Sequence, residues 1–225
     1  MEHVFNYCER GLDPGFWAEP ANALTNLAFI AAGLLALQQG RRTISLVPRA
    51  LAMLVIVIGI GSFLFHTFAN GWSSLADVIP IGVFMLVYFG FALRRFLRAP
   101  LWLAILGTLG FAGLLYGAQT LRCEGGACYN GSAGYLPALA AMLVIGGGLL
   151  LTGARSGATI LAAGGVFAVS LTLRTIDRMA CSAFPPGTHF AWHLLNALML
   201  YLLLRAAFIK NTEIKPGPAQ TLKPR

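Results

Sequence analysis

Seven long apolar runs joined by short polar links constrain this chain more than any other feature. They read as residues 21–39, 47–66, 77–94, 100–119, 136–152, 157–174 and 188–208. A helix needs about 20 mostly apolar residues to cross a bilayer, and there it satisfies its own backbone hydrogen bonds. The runs are continuously apolar rather than alternating, which argues against an outer-membrane barrel. Pro48, Pro100, Pro137, Pro185 and Pro186 mark the connections, as proline does at helix boundaries. Charged residues make up 11% of the 225, against roughly a quarter in soluble domains, which excludes a water-exposed globule, a disordered chain, a coiled coil and a nucleic-acid binder. The expected fold is an all-α integral membrane protein: one seven-transmembrane helix bundle over residues 1–209. Residues 1–20 are polar and contain no apolar run, so no cleavable signal peptide is expected. Residues 210–225 are basic and proline-containing and read as a disordered cytoplasmic tail.

The basic residues set the expected orientation. With the amino terminus outside, twelve of the 16 Lys and Arg fall on the cytoplasmic side; only Arg10, Arg122, Arg174 and Arg178 fall opposite. The net charge of +8 then reflects topology and contact with anionic lipid heads. Cys8, Cys123, Cys128 and Cys181 all land on the outer, oxidising side, where disulfides persist. Cys123 and Cys128 bracket one short turn and favour a local pair, leaving Cys8 to join Cys181. Four cysteines allow three pairings, and four free thiols remain an alternative. A compact chain without sorting signals favours a bacterial inner membrane, with the outer end facing the periplasm.

In so apolar a chain the polar exceptions are informative. Four groups enter or leave spans at the same outer end: Glu19-Pro-Ala-Asn22, Ser62-Phe-Leu-Phe-His66, Asp77, and His189-Phe-Ala-Trp-His193. Residues four apart share a helix face. His189 and His193 can therefore aim two imidazoles at one point, and His66 supplies a third with Ser62 one turn before it. Three neutral imidazoles plus a water form the usual open coordination of a catalytic zinc, which lowers the pKa of that water to about 7. Bland roles compete. A histidine near a helix end is commonly interfacial, and Asp77 can be read as the N-terminal cap of the third span. Glu19 can cap the first span and hydrogen-bond across the bundle. His3 reads as an ordinary exposed residue. Arg174, Asp177 and Arg178 read as an interfacial charge cluster, with Arg174 alternatively meeting a lipid head group. Gly146–Gly148 and Gly164-Gly165 read as close helix contacts. Trp17, Trp72, Trp102 and Trp192 read as interfacial or packing residues.

The succession Tyr-Cys-Glu (7–9), Ala-Glu-Pro-Ala-Asn (18–22), Gly-Ser-Phe-Leu-Phe-His (61–66), Asp77 and His-Phe-Ala-Trp-His (189–193) resembles the alkaline ceramidases. These belong to the CREST superfamily, with the progestin and adipoQ receptors as relatives. The resemblance implies an intramembrane zinc amidohydrolase that splits ceramide-like membrane lipids into a sphingoid base and a fatty acid. It makes His66, His189 and His193 the zinc ligands, with attack by a zinc-bound hydroxide. Ser62 would steady the oxyanion or that water, and Asp77 would accept its proton. It also implies a calcium site in the amino-terminal segment, with Glu9 and Glu19 at the carboxylate positions. Asn6 stands there in place of an aspartate, and Gly11 in place of an oxygen-bearing side chain. Calcium takes six to eight oxygen ligands, so those departures weaken the expectation. The alternatives are a seven-span receptor with a structural zinc, against which the short inner loops argue, and a related lipid ester hydrolase.

Overall fold

The computed structural model describes residues 3–4, 7–42, 45–123 and 126–209. Asn6 and the tail at 210–225 lie outside the described residues. Eight α-helices follow one another in these residues: α1 (Pro20–Thr25), α2 (Leu27–Gln39), α3 (Leu46–Phe68), α4 (Gly71–Arg95), α5 (Leu101–Thr120), α6 (Leu136–Leu151), α7 (Arg155–Ala180) and α8 (His189–Phe208). Helices α1 and α2 together make the first span, so seven helical segments are long and apolar enough to cross a membrane. Their junction at Asn26 has a local cause. The Thr25 hydroxyl donates to the Ala21 and Asn22 carbonyls, and the Asn26 amide donates to the Asn22 carbonyl. Side chains that compete for helical carbonyls in this way bend a helix.

The spans close into a ring in the order α5, α4, α3, α2, α8, α7, α6, with α6 returning to α5. Helices α3 and α8 also touch across the bundle. Of their most apolar stretches, 56% is buried, against 11% for α5, which faces outward. Small residues set the closest approaches. A Cβ on Gly157 of α7 would lie 2.4 Å from the Leu150 backbone nitrogen, and one on Gly146 would lie 3.0 Å from that of Leu161. Gly147, Gly148 and Gly165 face open space, so the expected glycine contacts hold only in part. Trp192 is buried in the core, whereas Trp17, Trp72 and Trp102 are exposed.

Two span boundaries differ from expectation, and each difference moves a functional residue. Helix α4 starts at Gly71, six residues before Asp77. Its cap is Asn70, whose side chain accepts from Ser73 N while the Ser73 hydroxyl accepts from Asn70 N. That reciprocal cap satisfies the first orphan amides. Asp77 therefore sits inside the helix and is not its cap. Helix α7 runs on to Ala180, so Asp177 is a buried helical residue rather than part of an interfacial charge cluster. Arg178 is exposed. His3 has an exposed side chain, but its backbone bridges to Asn70, which fastens the amino-terminal segment to the start of α4.

Candidate metal centre

His66 lies in the last turns of α3, and His189 and His193 lie in the first two turns of α8. All three are buried, and one ligand atom from each falls within 4.8 Å of the others. The i, i+4 spacing supplies the pair on α8, and the direct crossing of α3 and α8 brings in the third ring.

Neighbouring groups decide which nitrogens remain for a metal. Glu19 Oε2 lies 2.6 Å from His66 Nδ1. Burial alone would raise the Glu19 carboxyl, but hydrogen bonds from His66, Arg10 and Asn22 outweigh it and hold the group below the usual carboxylate range. The carboxylate accepts, so His66 Nδ1 carries the proton and Nε2 keeps its lone pair. Thr25 Oγ1 lies 3.0 Å from His193 Nδ1 while donating its single proton to backbone carbonyls. The His193 Nδ1–H therefore donates to Thr25, again freeing Nε2. Histidine ligands generally depend on such outer partners for tautomer and orientation. His189 Nδ1 is buried without a hydrogen-bond partner among the described residues. Tyr7 stacks on that ring, with 3.7 Å between centroids. Three imidazoles with two tautomers set and one orphaned nitrogen could hold a metal ion, and no thiolate competes because no free cysteine is present among the described residues.

The cluster opens into a cavity of about 270 Å³ within the helix ring. Asp77 and Ser62 line it beside His189 and His193. Asp77 Oδ1 is buried without a partner among the described residues, and Ser62 lies on the same region of the cavity wall as that carboxyl. The α3–α4 contact that sets this pair has a backbone origin. Pro80 has no N–H, so the Ala76 carbonyl lacks its helical partner. Gly61 packs directly onto that carbonyl, where a Cβ would lie 2.0 Å from the oxygen. Below the polar mouth the cavity is apolar, with Ile81, Phe84, Tyr88 and Ala92 on one stripe of α4 facing Leu200 and Leu203 of α8. From His193 to Leu203 is about 15 Å along a helix.

The carboxylates of the amino-terminal segment are otherwise engaged. Glu9 accepts from Ala21 N at 2.7 Å and Asn22 N at 2.8 Å, so Glu9 rather than Glu19 serves the start of the first span. Glu19 occupies the cap position without a capping bond and reaches across to His66, Arg10 and Asn22. Disulfides join Cys8 to Cys181 and Cys123 to Cys128.

Tyr7, Arg174 and Asp177 take places at the site that the sequence reading did not assign them. Burial pushes the Tyr7 phenol well up, and Tyr7 lines the cavity beside His189. Arg174 lines the cavity, its guanidinium 5.4 Å from the Tyr135 and Trp192 ring centres and bonded to the Asn130 carbonyl at 2.5 Å. Asp177 holds the start of α8 by accepting from Thr188 N at 2.7 Å and His189 N at 3.0 Å.

No curated protein sequence matches the chain significantly. The family model described as Ceramidase matches residues 4–125, more than half of the sequence. That stretch carries Glu9, Glu19, Ser62, His66 and Asp77, while His189 and His193 join them through the fold. The chain belongs to the ceramidase family.

Proposed function

We propose that the chain is an intramembrane zinc-dependent amidohydrolase that cleaves the N-acyl amide of ceramide-like lipids to a sphingoid base and a fatty acid. The observation that carries this is the juxtaposition of the three-histidine cluster with an unpartnered Asp77 oxygen at the polar mouth of an apolar cavity. His66, His189 and His193 would hold the zinc, which when bound would supply Lewis acidity to an amide carbonyl and acidify water to a pKa of about 7. Asp77, whose free oxygen lines the cavity with the histidines, takes the proton from the attacking water and returns it to the amide nitrogen as the C–N bond breaks, so that acid and amine both leave. Ser62 donates to the amide oxygen as that oxygen gains charge. The apolar stripes of α4 and α8 hold an aliphatic chain below the reacting amide and exclude water from it.

The histidine end faces the non-cytoplasmic side in this reading, in a bacterial inner membrane. Its support is the Cys8–Cys181 disulfide beside His189, since such bonds persist in oxidising compartments. A cytoplasmic reporter fused to the carboxyl terminus tests it: activity is expected, and a silent fusion reverses the orientation.

The function is tested by incubating the detergent-solubilised chain with mixed lipid amides and esters and identifying the products by mass spectrometry. Release of fatty acid with a long-chain amine is expected, together with about one zinc per chain. His193→Ala should lose both metal and hydrolysis, whereas Asp77→Asn should keep zinc and lose most turnover. Hydrolysis by metal-free protein, or release of acid only from esters, overturns the reading.

A further inference from the structure

A calcium ion in the amino-terminal segment would need several oxygens converging on one point, and such a point exists. An arginine already fills it. The Arg10 side chain is fully buried. Its Nε donates to Glu19 Oε1 at 2.5 Å, one terminal nitrogen donates to the Asp13 and Gly15 carbonyls at 3.1 and 3.0 Å, and the other donates to the His66 and Thr67 carbonyls at 2.9 and 3.4 Å. Five acceptors from three parts of the chain thus surround one permanent positive charge. Glu9 is turned away to the α1 backbone amides, and both Glu19 oxygens already accept from Arg10, Asn22 and His66. A divalent cation placed at Glu19 would meet the guanidinium instead of a vacant coordination sphere. Glu9 and Glu19, the described carboxylates of the expected site, do not fit calcium.

We propose that Arg10 is a covalently tethered substitute for a calcium ion and a positioning residue for the metal centre. The guanidinium gathers the Asp13–Gly15 turn, closes the carbonyls in the last turn of α3, and holds one oxygen of Glu19 while the other meets His66. Helix ends leave such carbonyls unpaired, and a cation there is favourable. His66 is thereby held twice, at its backbone oxygen by Arg10 and at Nδ1 by Glu19. Arginine suits the task better than lysine because its planar fork spans separated acceptors and never loses its charge.

The inference rests on the proposed zinc hydrolase for its zinc-affinity and activity readouts, whereas the calcium readouts are independent of that reading. Elemental analysis and calorimetry test the inference even if the chain turns over no lipid. The purified, zinc-loaded full chain should contain no calcium, give no heat with calcium chloride, and show no calcium-dependent change in melting temperature or hydrolysis. Stoichiometric calcium, or hydrolysis that requires it, overturns the proposal. Arg10→Ala should lower zinc affinity and turnover by about tenfold or more, the range for outer partners of a ligand. Millimolar guanidinium should restore part of both, which a merely structural defect would not allow. An alanine variant with wild-type zinc affinity and turnover overturns the proposal. If Arg10→Ala does not fold, Arg10→Lys keeps the charge without the fork and should bind zinc more weakly than wild type. Unchanged zinc affinity in that variant is equally fatal.

Discussion

The amino-terminal segment beneath His66 and the α7–α8 connection before His189 bring histidines to the same point by different physics. In the first, charged side chains hold a ring: Arg10 and Asn22 fix Glu19, and Glu19 fixes the His66 imidazole. In the second, a carboxylate holds backbone. Asp177 accepts from the Thr188 and His189 amides and from Cys8 N at 3.2 Å, and leaves the His189 ring to stack on Tyr7. The Cys8–Cys181 bond ties the two regions together. The contrast teaches that the His66 ring is fixed through its own nitrogen, whereas His189 is fixed through its backbone.

The largest effect should come from removing the charge lock. Glu19→Ala strands a buried guanidinium and the His66 Nδ1–H, at a cost of about 3–5 kcal/mol, and zinc should be lost as well. Melting in detergent with zinc analysis checks both, and a zinc-replete variant of wild-type stability breaks the comparison. Asp177→Ala orphans three backbone amides at about 2–3 kcal/mol in total, because some regain water. Its signature should be faster amide exchange at Thr188 and His189 with zinc still bound at saturation. Loss of zinc at full stability would mean that the second region also controls the ring. Gly61→Ala drives a Cβ into the Ala76 carbonyl, at about 1–3 kcal/mol of overpacking. Turnover should fall more than zinc content, since Asp77 moves while the histidines stay. The smallest effect belongs to Thr25→Val, which removes one buried hydrogen bond to His193, about 1 kcal/mol. A modest rise in the zinc dissociation constant would place His193 between the other two ligands.

Much of the architecture was legible in one dimension because bilayer thickness and backbone hydrogen bonding leave few options for long apolar runs. The four polar groups at one end were legible for the same reason: a polar residue in an apolar span is costly enough to be noticed. Boundaries were less so. Trp72, Ser73 and Ser74 looked like a link, and only the Asn70–Ser73 cap shows that they are the first turn of α4. Asp177 looked like an interfacial charge because nothing near it in sequence reveals the α8 amides it serves.

Periodicity and hydropathy by themselves determined seven spans, a shared end for the polar residues, and the i, i+4 pair on α8. Only the tertiary structure decided that α3 crosses α8 so that a third imidazole joins the pair. It also decided that Glu19 serves His66 instead of capping its own helix, and that Arg10 sits where oxygens converge. The reason is physical. Spans and helix faces follow from short-range geometry and solvent, which every stretch of chain carries locally, whereas the partner of a buried charge is chosen by whatever the fold brings within hydrogen-bond reach.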